Sequence, residues 1–212
     1  MKVIDYHSLE LQDKFTYLLL GHIQNGSFLD VSGGNPTHGS NTYVFEHYNN
    51  WSGVAVDVLD FGWNTTIRPR SRFFQCDATS PAFTQLLIRE FQPKQIVDYL
   101  SFDVDCAGTN LGDLVLPRIL DSGLSFKVIT LEHEFYSQGE KVRKPTREAL
   151  SALGYHLLFG DVLVEPKGRS FEDWWVHPNH FSPKLLRNQS FYLCYSDCVK
   201  KLEAFYSVNS NE

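Results

Sequence analysis

The chain has 212 residues, of which 42% are hydrophobic and 21% are charged, a composition that indicates one large globular domain rather than two small ones. Its net charge is −6 and its basic residues form no stripe, which argues against a nucleic-acid partner. The sequence has no stretch of 18 apolar residues and no basic segment followed by an apolar run, so we expect no membrane partner and a cytoplasmic location.

Hydrophobic runs of strand length alternate with segments of helical periodicity along the whole chain. In chain order, we predict a helix over 8–24, a strand over 27–31, a helix over 41–48, strands over 54–58 and 72–76, a helix over 81–91, a strand over 96–104, a helix over 111–120, a strand over 126–131, a helix over 145–153, strands over 155–159 and 162–164, and a helix over 183–206. This alternation predicts an α/β fold with a doubly wound, mostly parallel, seven-stranded sheet. We expect a single domain, in which residues 1–25 form an N-terminal helix, residues 26–165 the sheet core, and residues 166–212 an aromatic loop and a C-terminal helix.

Polar residues, most of them acidic, follow nearly every predicted strand. Ligands of open α/β sheets bind beyond the carboxyl ends of the strands, so these positions form the candidate site. In chain order they are Asp30, Ser32, Gly33 and Gly34, then Asp57, Asp77, Asp103 and Asp105, and finally Glu132, His133 and Glu134. The glycines allow a ligand to approach the backbone closely. Asp57 is placed to accept hydrogen bonds from both hydroxyls of a ribose.

An adenosyl ligand and a dinucleotide both fit this spacing. Residues 32–40 read SGGNPTHGS, which is not the G-x-G-x-x-G fingerprint of dinucleotide-binding domains. The sequence also lacks the phosphate-binding loop G-x-x-x-x-G-K-[ST]. It therefore favours an adenosyl ligand over a nicotinamide cofactor.

Several segments resemble, in order and spacing, the FkbM-type S-adenosylmethionine-dependent methyltransferases. They are QD at 12–13, GSFLDV at 26–31, SNTY at 40–43 with FE at 45–46, WSGV at 51–54 with VD at 56–57, VDYLSFDVD at 97–105, ITLEHE at 129–134, Arg147 with Leu150 and the pair Gly154 and Tyr155, and EDWWVHP at 172–178. The resemblance covers roughly residues 10–180. It implies the Rossmann-like class I methyltransferase fold, S-adenosylmethionine as the cofactor, and O-methylation of a sugar, a glycan or a small hydroxylated acceptor.

The resemblance also implies roles for the residues at the strand ends. The implied cofactor site consists of Asp30, Ser32, Gly33, Asn41, Asp57, Asp77 and Asp103. Asp57 would hold the ribose, Asp77 would lie beside the adenine amine, and Asn41 would begin the helix that faces the cleft. Ser32 stands at the first glycine position of the usual D-x-G-x-x-x-G segment, and residues 103–108 read DVDCAG where many relatives have D-x-E-G-x-E.

Methylation of a hydroxyl needs a base that removes its proton. His133 is the first candidate because imidazole titrates near neutral pH, and Asp103 is the second catalytic candidate. The alternative for His133 is a structural role at the end of a strand. A divalent cation such as Mg²⁺, held by Asp103, Asp105 and Glu132, is another way to lower the pKa of a bound hydroxyl.

Trp174, Trp175 and Glu132 are the candidate substrate-binding residues, because indole faces stack on sugar rings and acids bind sugar hydroxyls. The alternative is that both tryptophans pack against the core. Three functions follow from the residues together: an S-adenosylmethionine-dependent methyltransferase with a small-molecule or glycan acceptor, a non-catalytic binding protein that has kept the fold, and a nicotinamide-dependent oxidoreductase. The sequence makes no prediction of the oligomeric state.

Overall fold

The computed structural model describes residues 3–104, 111–165 and 168–209. The helices are α1 (Gln12–Leu20), α2 (Tyr43–Asn49), α3 (Pro81–Glu90), α4 (Leu111–Asp121), α5 (Phe135–Gln138), α6 (Glu140–Ala152), α7 (Pro183–Leu186) and α8 (Tyr195–Asn209). The strands are β1 (Ser27–Val31), β2 (Ser52–Asp57), β3 (Ser71–Gln75), β4 (Ile96–Phe102), β5 (Ser125–Glu132), β6 (His156–Val164), β7 (Arg169–Val176) and β8 (Ser190–Phe191). Within these described segments, none of the helices has the length and apolar character needed to cross a membrane.

The strands form one sheet in the order β3-β2-β1-β4-β5-β7-β6-β8. The first five strands are parallel, whereas β7 runs antiparallel to both β5 and β6. Val31 pairs with Val56 on one side and with Phe102 on the other, and Phe102 pairs with Leu131, so the carboxyl ends of the parallel strands meet at one edge. The predicted α/β class and mostly parallel sheet are confirmed, with eight strands in place of seven.

Apolar side chains alternate between the two faces of the sheet. Phe28 packs into a cluster that includes Phe15 of α1, whereas its neighbour Leu29 packs into a second cluster that includes Phe83 of α3. Because helices cover both faces, the central strands are buried on both sides, as expected for a doubly wound sheet.

The predicted aromatic loop is in fact strand β7, so the sheet core extends beyond residue 165. Trp174 is 0% exposed and stacks on Phe15 with the ring centroids 4.3 Å apart. Trp175 is 2% exposed and belongs to the cluster on the opposite face. A strand that is buried on both faces shows no alternation of polar and apolar residues, which is why its sequence does not have the usual strand pattern.

Four further predicted elements, two strands and two helices, differ from the structure. The strands predicted over 155–159 and 162–164 are one strand, β6, whose pairing with β7 is irregular near Asp161, a residue with a positive φ of 53°. The helix predicted over 183–206 is divided into α7, β8 and α8. The helix predicted to begin at Pro145 begins at Glu140, with Pro145 inside it.

Candidate active site

A cavity of about 540 Å³, here called the first cavity, opens beyond the carboxyl ends of β1 to β4. Its polar wall includes Ser32, Gly34, Asp57, Asp77 and Asp103, all of which the sequence placed at strand ends. The volume lies within the range of about 300–1,000 Å³ that is usual for small-ligand sites. The topology of the parallel strands therefore brings these separate residues to one concave surface.

The turn after β1 is held close to β2. The backbone N–H of Ser32 donates to the carbonyl of Val56 at 2.8 Å, and the Trp63 indole N–H donates to the Gly34 carbonyl at 2.8 Å. Ser32 and Gly34 both have a positive φ, of 67° and 52°. A Cβ at Gly34 would meet no atom within 4 Å, so this part of the turn is open. Gly33 is different, because a Cβ there would lie 3.3 Å from the Ala55 side chain.

Asp57, at the end of β2, fixes two loops at once. Its Oδ2 accepts a hydrogen bond from the Gly34 N–H at 3.0 Å, and its Oδ1 accepts one from the Leu59 N–H at 2.9 Å. The side chain is buried beneath the loops and still contributes to the wall of the first cavity. A carboxylate held in this way keeps its lone pairs oriented before a ligand binds.

The first cavity also has an apolar wall that the sequence reasoning missed. Val58, Leu59 and Phe61 line it, although 57%, 57% and 46% of their areas are exposed. Exposed apolar side chains around a cavity favour a ligand with an apolar face.

Asp77 contributes a charged group to the same cavity. Hydrogen bonds from the Thr79 hydroxyl and backbone N–H lower the pKa of Asp77, which therefore is ionised at neutral pH.

Asp30 and Asn41 lie behind the turn rather than in the cavity wall. The Thr42 hydroxyl donates to Asp30 Oδ2 at 2.8 Å, and the Asn41 amide donates to the Ser101 hydroxyl at 3.1 Å. Arg68, which is 1% exposed, donates to the Thr42 hydroxyl at 3.1 Å. These contacts anchor the segment between β1 and α2. Arg68 lies in a loop after β2 with no motif around it, and no sequence signal identified it.

A second cavity of about 270 Å³ adjoins the first, and Asp103 lines both. Its wall contains Glu10, Gln12, Asp103, Glu132, Tyr136, Glu165, Arg169 and Phe171, together with Val164. Of these residues, only Asp103 and Glu132 are predicted site residues. The others come from the N-terminal segment, from α5 and from the β6–β7 hairpin, which are distant from one another in the sequence.

Glu132 and Glu172 are direct cross-strand neighbours on β5 and β7. Burial raises the pKa of Glu132 well above its usual range, and the carboxylates of Asp103 and Glu172 raise it further. Burial likewise raises the pKa of Glu172, whose Oε2 accepts a hydrogen bond from the Trp174 indole at 2.8 Å. Glu132 therefore holds a proton at neutral pH, and its hydrogen bond with Asp103 joins the two side chains.

His133 belongs to a buried polar network on the opposite face of the sheet, the His133 network, formed by His133, Asp161, Asp173 and Arg147. His133 is 0% exposed; its Nδ1 accepts the Phe135 N–H at 3.2 Å, and its Nε2 lies 3.4 Å from Asp173 Oδ1. Arg147 of α6 donates two hydrogen bonds of 2.7 Å to Asp173 and lies 3.0 Å from Asp161. Burial alone would raise the pKa of Asp173, but the hydrogen bonds from Arg147 and the nearby His133 ring lower it to about 2.

The structure therefore separates several residues that the sequence grouped together. Strand alternation directs Glu132 toward the second cavity and His133 to the other face, where its ring lines neither cavity. Trp174 and Trp175 are core residues, because both faces of β7 are covered, and neither indole reaches a cavity wall. Both tryptophans thus pack against the core, which was the alternative to a substrate-binding role.

Asp105, one of the three predicted metal ligands, lies outside the described residues. In the described part of the chain, Asp103 and Glu132 share no group of three ligand atoms lying within 4.8 Å of one another. The one group found there consists of residues of the His133 network, whose carboxylates are already paired with arginine. The predicted Mg²⁺ site gains no support from this geometry.

Neither a protein-family model nor a curated protein matches the sequence. The fold is similar to that of human methyltransferase-like protein 13 in complex with S-adenosylhomocysteine (SAH), with a TM-score of 0.51 and 17% identity over 92% of this chain and 89% of that one. It is also similar to a candidate O-methyltransferase from Klebsiella pneumoniae, with a TM-score of 0.53 and 14% identity over 84% of this chain and 83% of that one. The chain therefore has the Rossmann-like fold of class I S-adenosylmethionine-dependent methyltransferases.

Proposed function

We propose that the protein is an S-adenosylmethionine-dependent methyltransferase that binds its cofactor in the first cavity and a small-molecule or glycan acceptor in the second. The observation that carries this proposal is the junction of the two cavities at Asp103. A group-transfer enzyme needs two ligands whose reacting atoms meet, and adjoining cavities with one shared wall residue provide that arrangement.

The wall of the first cavity fits the chemistry of an adenosyl cofactor. Asp57 offers carboxylate oxygens to the ribose hydroxyls, and the apolar side chains of Val58 and Leu59 match the faces of adenine. Asp77, ionised at neutral pH, is suited to accept a hydrogen bond from the adenine amine. The open side of the turn at Gly34 admits the methionine part close to the backbone. When bound, S-adenosylmethionine supplies an electrophilic methyl group.

Asp103 is the residue that we assign as the base. It borders both cavities, is exposed to them, and is hydrogen-bonded to Glu132, which fixes the orientation of its carboxylate. The acceptor hydroxyl transfers its proton to the Asp103 carboxylate as the oxygen is methylated. His133 contributes through the His133 network to the stability of β5 and β7, since its ring is enclosed on the other face.

The choice of a hydroxyl as the methylated group rests on the resemblance to FkbM-type methyltransferases. That resemblance includes the segments around Asp57, which lines the first cavity, and Asp103, which lines both cavities. The strand order gives a separate argument against a nicotinamide-dependent oxidoreductase. Classic dinucleotide-binding sheets have the order 3-2-1-4-5-6, whereas β7 is inserted here, antiparallel, between β5 and β6.

Calorimetric titration with SAH tests the cofactor assignment. We expect Asp57→Asn to weaken SAH binding by about 1–3 kcal/mol, which is about 5- to 160-fold, because a charged hydrogen-bond partner of the ligand is lost. Asp60→Asn is the matched control. Asp60 also accepts backbone hydrogen bonds in a turn, from the N–H groups of Gly62 and Trp63, but it does not line the first cavity.

Equal loss of affinity in the Asp57 and Asp60 variants would contradict a ribose contact and indicate only a loosened loop. Absence of SAH binding to the wild-type protein would reject the methyltransferase assignment, and tighter binding of NAD than of SAH would favour the oxidoreductase. Binding of SAH without methylation of any hydroxylated acceptor in a broad panel would favour the non-catalytic binding protein.

A further inference from the structure

The second cavity has an excess of negative charge. Its described wall residues include four acidic side chains and one guanidinium, and of the four acids Glu132 is the one that holds a proton. The acids are Glu10, Asp103, Glu132 and Glu165, and the guanidinium is that of Arg169. Burial raises the pKa of Glu10, and repulsion from Asp103 raises it further. Carboxylates that share a half-buried site repel one another unless a proton or a positive charge lies between them. The wall is therefore suited to accept hydrogen bonds and positive charge.

Gln12 gives an independent indication of a missing ligand. Its side chain is 4% exposed and forms part of the wall of the second cavity. Its amide stabilises the carboxylates of Glu10 and Glu172 through hydrogen bonds. Its Oε1 is buried and has no hydrogen-bond partner among the residues that the structure describes. A buried amide oxygen normally has a donor, so the group that is missing here is a hydrogen-bond donor.

The cross-strand pair Glu132 and Glu172 points to the same kind of ligand. Acidic side chains directly opposite each other on neighbouring strands destabilise a sheet when both are ionised. Glu132 avoids this repulsion by keeping its proton. The protonated carboxyl group then offers the cavity fewer hydrogen-bond acceptors than a carboxylate would. A cation in the second cavity would favour the ionised form of Glu132 and so restore the missing acceptor.

An organic cation fits this wall better than a metal ion. Within the described residues, no three side chains of the wall bring ligand atoms within 4.8 Å of one another. Mg²⁺ and Ca²⁺ require six or more oxygens at about 2.0–2.6 Å from the ion. Ammonium and guanidinium groups instead spread three to five N–H donors over a wider span, which matches separated acceptors.

We infer that the acceptor is a basic molecule, whose protonated amine or guanidinium group is held in the second cavity by Glu10, Glu165 and the amide oxygen of Gln12. The hydroxyl to be methylated and the cationic nitrogen are then two parts of one acceptor, as in amino sugars and amino alcohols. This inference rests on the proposed function, because it takes the second cavity to be the acceptor site.

Calorimetric titration of the full chain, with and without saturating SAH, tests the inference with probes that differ mainly in charge. One pair is glucosamine and N-acetylglucosamine, and the other is spermidine and 1,8-octanediol. We expect the cationic member of at least one pair to bind about tenfold more tightly or better, as charged hydrogen bonds are worth at least that factor. Glu10→Gln and Glu165→Gln should each remove most of this preference and leave SAH binding unchanged.

Glu148→Gln is the control for general attraction of cations by an acidic protein, since Glu148 is 68% exposed on α6 and pairs only loosely with Lys144 at 4.0 Å. Equal binding of the charged and neutral members, absence of binding by all four probes, or the same loss of preference in the Glu148 variant would overturn the inference. Tight binding of Mg²⁺ alone that depends on Glu10 and Glu165 would overturn it in favour of a metal. SAH binding measured on the same sample separates this failure from failure of the proposed function.

Discussion

Ser32 has a left-handed backbone conformation, which glycine adopts more readily than a residue with a Cβ. Its φ is 67°, and such left-handed conformations cost a residue with a Cβ about 1–2 kcal/mol. The turn that contains Ser32 approaches β2 and forms part of the first cavity, so the strain is located where the cofactor is proposed to bind. Serine in place of glycine therefore changes the backbone energy of this turn more than it changes the chemistry of the cavity.

We expect Ser32→Gly to increase the free energy of unfolding by about 0.5–1 kcal/mol, since the relief of strain exceeds the entropy that glycine loses on folding. Urea unfolding followed by fluorescence measures the change. Ser32→Ala removes the hydroxyl and keeps the Cβ, so it should give no such gain. If the alanine variant gained the same stability, the cause would be loss of the hydroxyl and not relief of backbone strain.

The sequence predicts individual site residues well where a strand end determines their position. Asp57, Asp77 and Asp103 follow parallel strands, and parallel strands end at a common edge, so their meeting in one cavity follows from the pattern. Glu10 and Gln12 follow no strand. They reach the second cavity through tertiary packing of the N-terminal segment, for which no local signal exists.

At the scale of elements, the pairing of β5 with β7 determines which side chains act together. Glu132 lies opposite Glu172, and Leu131 lies opposite Asp173, so one face receives the acidic pair and the other receives the His133 network. The sequence predicts β5 correctly but not its partner β7, because burial on both faces removes the polar–apolar alternation by which strands are recognised. Alternation along β5 already separates Glu132 from His133, but the partners that each one meets, Glu172 and Asp173, come from that missing strand.

The raised pKa of Glu132 makes stability depend on pH. In the unfolded chain the pKa of a glutamic acid is about 4.3, and burial together with Asp103 raises it in the folded protein. The unfolded state therefore releases its proton first, so this residue favours folding fully below about pH 4 and progressively less as the pH rises toward the folded-state pKa.

Glu132→Gln should remove this dependence while it retains a hydrogen-bond donor toward Asp103. We expect the variant to gain stability over the wild type by about 1 kcal/mol for each pH unit between pH 5 and 7. Urea unfolding at several pH values measures the difference, with Glu148→Gln on exposed α6 as the control. A difference that does not change with pH would show that Glu132 ionises normally in the folded protein.

At the scale of the whole molecule, the first cavity joins the ends of four strands, so a ligand bound there stabilises the sheet as a unit. SAH at 100 times its Kd should raise the free energy of unfolding by about 2.7 kcal/mol. For a chain of this length, that corresponds to an increase in Tm of about 5–10 °C. Thermal unfolding with and without SAH measures the shift, and Asp57→Asn at the same SAH concentration should show a smaller one. An equal shift in that variant would place the ligand elsewhere.

The two edges of the sheet bear on how the protein behaves when it is concentrated. A long, flat edge strand offers unpaired N–H and C=O groups to a strand of another chain and so promotes aggregation. Here one edge strand is β3, with five residues that include a solvent-exposed, charged Arg72. The other is β8, which has only two residues and covers β6 at Phe159 and Gly160. Short and charged edges of this kind discourage edge-to-edge sheet extension, so β8 shields the middle of β6 from intermolecular β-pairing.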